Sequence, residues 1–256
     1  MKKLLIKKDF IYLFNTKYIS IVLLLCGITI YFFFVILTLE FNKTCSELGN
    51  VRITDTNYIF YNLDYGIIKP LISFNIILGI LLFSFLSINL LLHDVKSEFT
   101  SYFTIYKINP REYIFSKYIV IGIVIFFFII LGLILPFLWI NTVSKSTPNI
   151  FYFLFSTIMS YFLFFTISNL SFYISMRFKS FFKTLIAFYF VLFFLWLIYL
   201  PHKIGLIYTI FRHISISYHI QNILDFKFYF SDLCYFLIFN IILYFLEINH
   251  FKKEKL

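Results

Sequence analysis

The chain has 256 residues and a formal net charge of +10, is 61% hydrophobic and 24% aromatic, has only 13% charged residues, and its mean hydropathy is +0.91. Soluble domains carry about 25% charged and roughly 45–50% apolar residues, so this composition excludes a soluble fold and makes lipid part of the solvent. The basic residues form no patch for nucleic acid; they fall at the ends of apolar runs, where topology signals sit.

Residues 2–14 (KKLLIKKDFIYLF) mix Lys with Leu, Ile and Phe, which predicts a helix lying in the membrane interface. The apolar run behind it is too long for a signal peptide and lacks a small-residue cleavage site, so a retained first span is expected. A helix crosses the hydrocarbon core in about 20 residues. Six stretches qualify, at about 18–39, 67–92, 118–140, 150–175, 184–201 and 230–249. Runs such as IVIGIVIFFFIILGLILPFLWI lack the alternation of a barrel wall, and a helix satisfies its own backbone in lipid. Pro136 predicts a disturbance at the outer end of the third span. The fold class is therefore all-α integral membrane protein, one domain over 1–256, with six spans.

Lys and Arg set the orientation. Fifteen lie on one side: in the N-terminal segment, between spans two and three, between spans four and five, and in the tail. Six lie on the other side (Lys43, Arg52, Lys145, Lys203, Arg212 and Lys227), so both termini are expected in the cytoplasm. The outer segment 202–229 (with IGLIYTIFRHISISYHIQNIL) is too apolar for a free loop and predicts a short helix or re-entrant hairpin at the membrane surface. Cys26, Cys45 and Cys234 sit in different segments without metal spacing, and no disulfide framework is implied.

Between spans two and three lies a polar island. Asn109 can cap a helix, Pro110 suits its first position, and Glu112 three residues on can reach back to the cap. A helix start at Pro110 running into the third span through Lys117 is predicted. With a helical piece upstream, residues 93–117 form a helix–break–helix elbow. Asp94, Lys96, Glu98, Lys107, Arg111, Glu112 and Lys117 exceed what a topology anchor needs, and Tyr102, Phe103 and Tyr106 are interleaved. That mixture reads either as a well-capped solvated loop or as a docking surface for a soluble partner.

Several chemistries are missing. Seven Gly residues, none followed by Lys, cannot build a phosphate-cradling loop. There is no H-E-x-x-H or G-x-S-x-G, so no enzyme or metal site is expected; His93–Asp94 reads as a span-end polar pair. Span centres are almost free of ionisable residues, with Asp232 and Glu247 near opposite ends of the last span, which argues against a self-powered carrier. Ser84, Ser87, Ser156, Ser160, Ser168, Ser171 and Ser175 are read as helix-packing positions.

Three stretches resemble the permease subunits of ABC-2-type transporters, in particular the gliding-motility and nitrous-oxide-maturation group: IKKDFIYLFNTKYISIVLL, HDVKSEFTSYFTIYKINPREYIFSKYI and ISISYHIQNILDFKFYFSDLCYFLIFN. The turn reads I-N-P-R instead of the family's P-x-S-R, and Phe99-Thr100 stands where Gly-Thr is usual. The resemblance implies a type V exporter-like permease fold in a bacterial cell membrane. It implies a cytoplasmic ATP-binding-cassette subunit as partner, a second permease copy or paralogue, and ATP and Mg bound only by the partner. The elbow would then be the coupling element, through Asp94, Lys96, Glu98, Thr100, Pro110, Arg111, Glu112 and Lys117. The expected activity is export of a peptide, lipid or other amphipathic compound; the alternative is a non-transporting scaffold or immunity-type protein that docks a cytoplasmic partner.

Overall fold

The computed structural model describes residues 2–48, 68–96, 109–138, 150–197, 213–225, 227 and 229–254. Among them the regular structure is helical throughout, without strands. In chain order the helices are α1 (Lys2–Asn15), α2 (Tyr18–Leu48), α3 (Lys69–Lys96) and α4 (Pro110–Leu138). They continue with α5 (Ile150–Phe178), α6 (Phe181–Leu197), α7 (Ile216–Leu224) and α8 (Phe230–Glu254). Long runs of Ile, Leu and Phe form helices here because every backbone N–H and C=O finds its partner within the segment.

Among the described residues five helices are long and apolar enough to cross a membrane: α2 over Tyr18–Ile36, α3 over Lys69–Val95, α4, α5, and α8 over Phe230–Lys252. The expected fifth span corresponds to α6, whose 17 residues rise about 25 Å at 1.5 Å each, short of the ~30 Å hydrocarbon core. Residues 198–201 of that expected span lie outside the described residues.

Two junctions are made by residues with left-handed backbone. Lys17 (φ 59°) turns the chain from α1 into α2, and Lys179 (φ 48°) turns it from α5 into α6. At the first junction Tyr12 O accepts from both the Thr16 N–H (3.0 Å) and the Thr16 hydroxyl (2.6 Å), so the end of α1 is satisfied without a glycine. The disturbance expected at Pro136 takes the form of a π-helical turn, Ile130–Ile134, where the Leu135 N–H bonds back to Ile130 O. Proline lacks an N–H and crowds the carbonyl four residues earlier, here Gly132; widening the ladder just before it absorbs both effects. A Cβ at Gly132 would stand 2.6 Å from Asn75 Nδ2 and 3.4 Å from Thr29 Oγ1. Glycine at that position lets α4 close on α2 and α3.

Helix α5 is the centre of the bundle, packed against α3, α8, α6, α4 and α7. All seven serines read as packing positions are buried, as expected for small side chains that let helices approach in lipid. Apolar side chains on α2, α6 and α8, among them Leu24, Phe182, Ile186, Phe190, Ile238 and Ile242, are exposed outward. In water such a surface would drive association; in a bilayer it meets acyl chains. Within the segment expected outside, α7 buries Ile216, His219 and Ile223 on one stripe at helical spacing, a short helix docked on the bundle; residues 202–212 lie outside the described residues.

A second apolar cluster closes the end of the bundle that carries the α3–α4 connection. Leu5 of α1, Leu91 and Leu92 of α3, Tyr113 and Ile114 of α4, Met176 of α5 and Ile248 of α8 meet there. This cluster surrounds the candidate site.

Candidate coupling site

Helix α4 starts as its residues predict. Asn109 is extended (φ −70°, ψ 125°), its side-chain oxygen accepts from the Arg111 N–H at 3.0 Å, and Pro110 opens the helix. The return bond expected from Glu112 is not formed among the described residues. Arg111 and Glu112 are exposed on the first turn and Pro110 is half-buried.

Two of the residues expected on a solvated docking face point inward instead. Lys117 is fully buried and Asp94 is 1% exposed. The physical reason is α1, which lies across the end of α3 and the start of α4. Leu5, Asp9 and Leu13 of α1 are buried at four-residue spacing, a single stripe on a 3.6-residue helix, and the middle member of that stripe is an acid. Lys117 Nζ reaches Asp9 Oδ1 at 2.6 Å and Asp94 Oδ2 at 2.6 Å. Lys8 Nζ approaches Asp94 Oδ1 at 2.6 Å and Asp9 Oδ1 at 3.6 Å.

The Tyr113 hydroxyl donates to Asp94 Oδ2 at 2.8 Å. His93 Nδ1 stands 3.5 Å from Asp94 Oδ1, and its ring stacks on Tyr12 of α1 at 3.8 Å between centroids. Two ammonium groups thus face two carboxylates, which offsets part of the cost of burying them, while Asp9 Oδ2 is buried with no hydrogen-bond partner. Burial pushes the Asp9 carboxyl up from its ordinary value while the adjacent Lys117 pulls the other way. Burial also draws the Lys8 ammonium down, and Lys117 adds to that.

The structure therefore divides the expected coupling residues. Asp94 and Lys117 belong to an internal lock, whereas Arg111 and Glu112 form the exposed tip. Lys96 ends α3, with its side chain outside the described residues; Glu98 and Thr100 lie outside them as well, as do Lys107, Tyr102, Phe103 and Tyr106. Lys8, Asp9 and Tyr113 were not among the sequence candidates. The signal that could have found Asp9 is an acid at the centre of the Leu5–Leu13 stripe in a segment otherwise basic.

At the opposite end, α7 is fastened to α8. His219 Nε2–H donates to the His213 carbonyl at 2.9 Å, and Nδ1 lies at hydrogen-bond distance, 2.7 Å, from Asp232 Oδ1. Asn222 donates to both Asp232 oxygens at 3.3 and 3.2 Å. The ring of Tyr235 stacks on His219 at 4.0 Å. Lys69 at the start of α3 reaches Asp225 at 2.8 Å. Searches against protein-family models, curated proteins and solved structures find no match to the chain.

Proposed function

We propose that the chain is the membrane-spanning permease subunit of an ATP-binding-cassette transporter of the ABC-2 type, with six spans and both termini in the cytoplasm. A separate subunit would hydrolyse ATP, and a second copy or paralogue would complete the pathway. The observation that carries this reading is the lock at the base of α4. It joins the interfacial helix α1, the end of α3 and the start of α4 into one rigid element, tipped by exposed Arg111 and Glu112.

A chain without phosphate-binding machinery needs mechanical input from outside, and a rigid helix start at a bundle end is suited to receive it. A push on the Arg111–Glu112 turn would move α1, α3 and α4 together, because breaking the lock would strand buried charge. Capture of partners from native membranes, followed by reconstitution with any soluble nucleotide-binding subunit found, tests the reading. The pair should copurify, and substrate movement in vesicles should require ATP. Failure to capture such a subunit, or capture without transport, would leave a docking scaffold in its place.

A further inference from the structure

Helix α1 shows one face to the bundle and turns a different one outward. Leu5, Asp9 and Leu13 are buried on the inner side. At about 100° per residue, Leu4, Ile11 and Phe14 fall on the opposite side, where they are 71%, 48% and 63% exposed. Lys3 and Lys7 are exposed among them, and Lys17 adds a third exposed ammonium at the turn into α2. None of these three lysines forms an ion pair among the described residues. Asp9 is the one acid of the helix, and it is turned inward onto Lys117. The outward face is therefore apolar and cationic, with no acid on it.

Chain connectivity fixes the depth of this face. Only Thr16 and Lys17 separate α1 from Tyr18, the first residue of a helix long and apolar enough to cross a membrane. On its inner side α1 is ion-paired to the end of α3 and the start of α4, the ends of two more such helices. A helix held at three span ends lies at the membrane surface, so its outer face meets head groups and the first acyl carbons. Zwitterionic lipid alone would satisfy Leu4, Ile11 and Phe14 but would leave the lysines without net countercharge. Complementarity asks for a negative surface, and a leaflet containing acidic lipid is one. A soluble partner would have to reach this face through the head groups.

We propose that the outward face of α1 is a docking surface for acidic phospholipid, with Leu4, Ile11 and Phe14 among the acyl chains and Lys3, Lys7 and Lys17 on the head groups. Long lysine stems let the ammonium reach the phosphate layer while the backbone lies lower. The lock's Lys8 and Asp9 belong to the same helix, so this lipid lies one helix diameter, about 10 Å, from the base of α4. The docking surface stands apart from the permease reading, because it involves no ATPase subunit.

The full chain in nanodiscs of equal parts phosphatidylcholine and phosphatidylglycerol tests this. A fluorophore is attached at Ile11→Cys, with Cys45→Ser and Cys234→Ser; Cys26 is buried and stays unlabelled. Brominated acyl chains, carried on one lipid and then on the other, quench it. Phosphatidylglycerol should be preferred at this position by about fivefold, the worth of one lysine near an acidic lipid. K3Q/K7Q/K17Q should abolish that preference without lowering the melting temperature. K183Q/K252Q, which removes exposed lysines of other helices, should keep it. L4S/F14S should weaken quenching by both lipids alike. Equal quenching by the two lipids in the chain carrying only the label overturns the proposal, as does a preference that survives K3Q/K7Q/K17Q or is lost in K183Q/K252Q. Unchanged quenching in L4S/F14S overturns it as well. So does absence of quenching by either lipid, which would assign the face to a soluble partner.

Discussion

Lys117 Nζ lies 2.6 Å from Asp9 Oδ1 across 108 positions of sequence, with neither side chain more than 2% exposed. This contact ties the first helix to the start of α4. Because Asp94 shares the same ammonium, the three elements resist separation as a unit.

Lys117→Met removes one cation and leaves two buried carboxylates facing each other. Breaking a buried ionic group from one side costs about 3–5 kcal/mol, and thermal unfolding in detergent should show a loss of that size. The double variant Lys117→Met with Asp9→Asn should lose less than the sum of the two single variants, because each removes what the other leaves unpaired. Additive losses would mean that the pair carries no coupling.

Charge reversal at the exposed tip, Arg111→Glu with Glu112→Lys, should leave the melting temperature unchanged, since neither side chain is packed. On the proposed permease reading, ATP hydrolysis by the chain together with a nucleotide-binding subunit should fall toward that of the subunit alone. A drop in melting temperature with unchanged coupling would assign these residues to structure alone.

The Lys69 hydrogen bond holds the Asp225 carboxyl below its ordinary value, with burial opposing it. A depressed carboxylate stabilises the fold above its unfolded value of about 4 and loses that contribution as pH falls through the lower folded value. Hydrogen exchange of Ile216–Leu224 should therefore accelerate in strong acid. Asp225→Asn should flatten this part of the pH dependence, and an unchanged acid response in that variant would show that the tether does not hold α7.

Asp232→Ala strips His219 and Asn222 of a shared, fully buried acceptor. A loss of roughly 3 kcal/mol is expected, with faster exchange in α7 ahead of the long helices. Asp232→Asn, which keeps an acceptor, should lose less, and equal losses would argue against the hydrogen-bonded latch.

Local chemistry made the start of α4 readable. Asn109 and Pro110 act on neighbouring backbone atoms, so the cap forms as the residues predict. Glu112 follows the same local pattern yet makes no return bond, because a single exposed carboxylate gains little by ordering itself. Asp94 and Lys117 were legible as an unusual mixture of charges but not as a lock. Their burial depends on α1 lying over them, and nothing within a few residues of either position encodes that.

Hydropathy over some 20 consecutive residues determined that the chain is helical and lives in lipid, since the backbone's need for internal hydrogen bonds leaves little choice. The start of α4 was likewise set locally, by Asn109 and Pro110. Tertiary structure alone decided which polar residues turn inward: Asp9 against Lys117, His219 against Asp232, and Glu247 against Tyr118. Desolvation is a property of everything packed around a group, so the fate of a charge is written in distant helices as much as in its own.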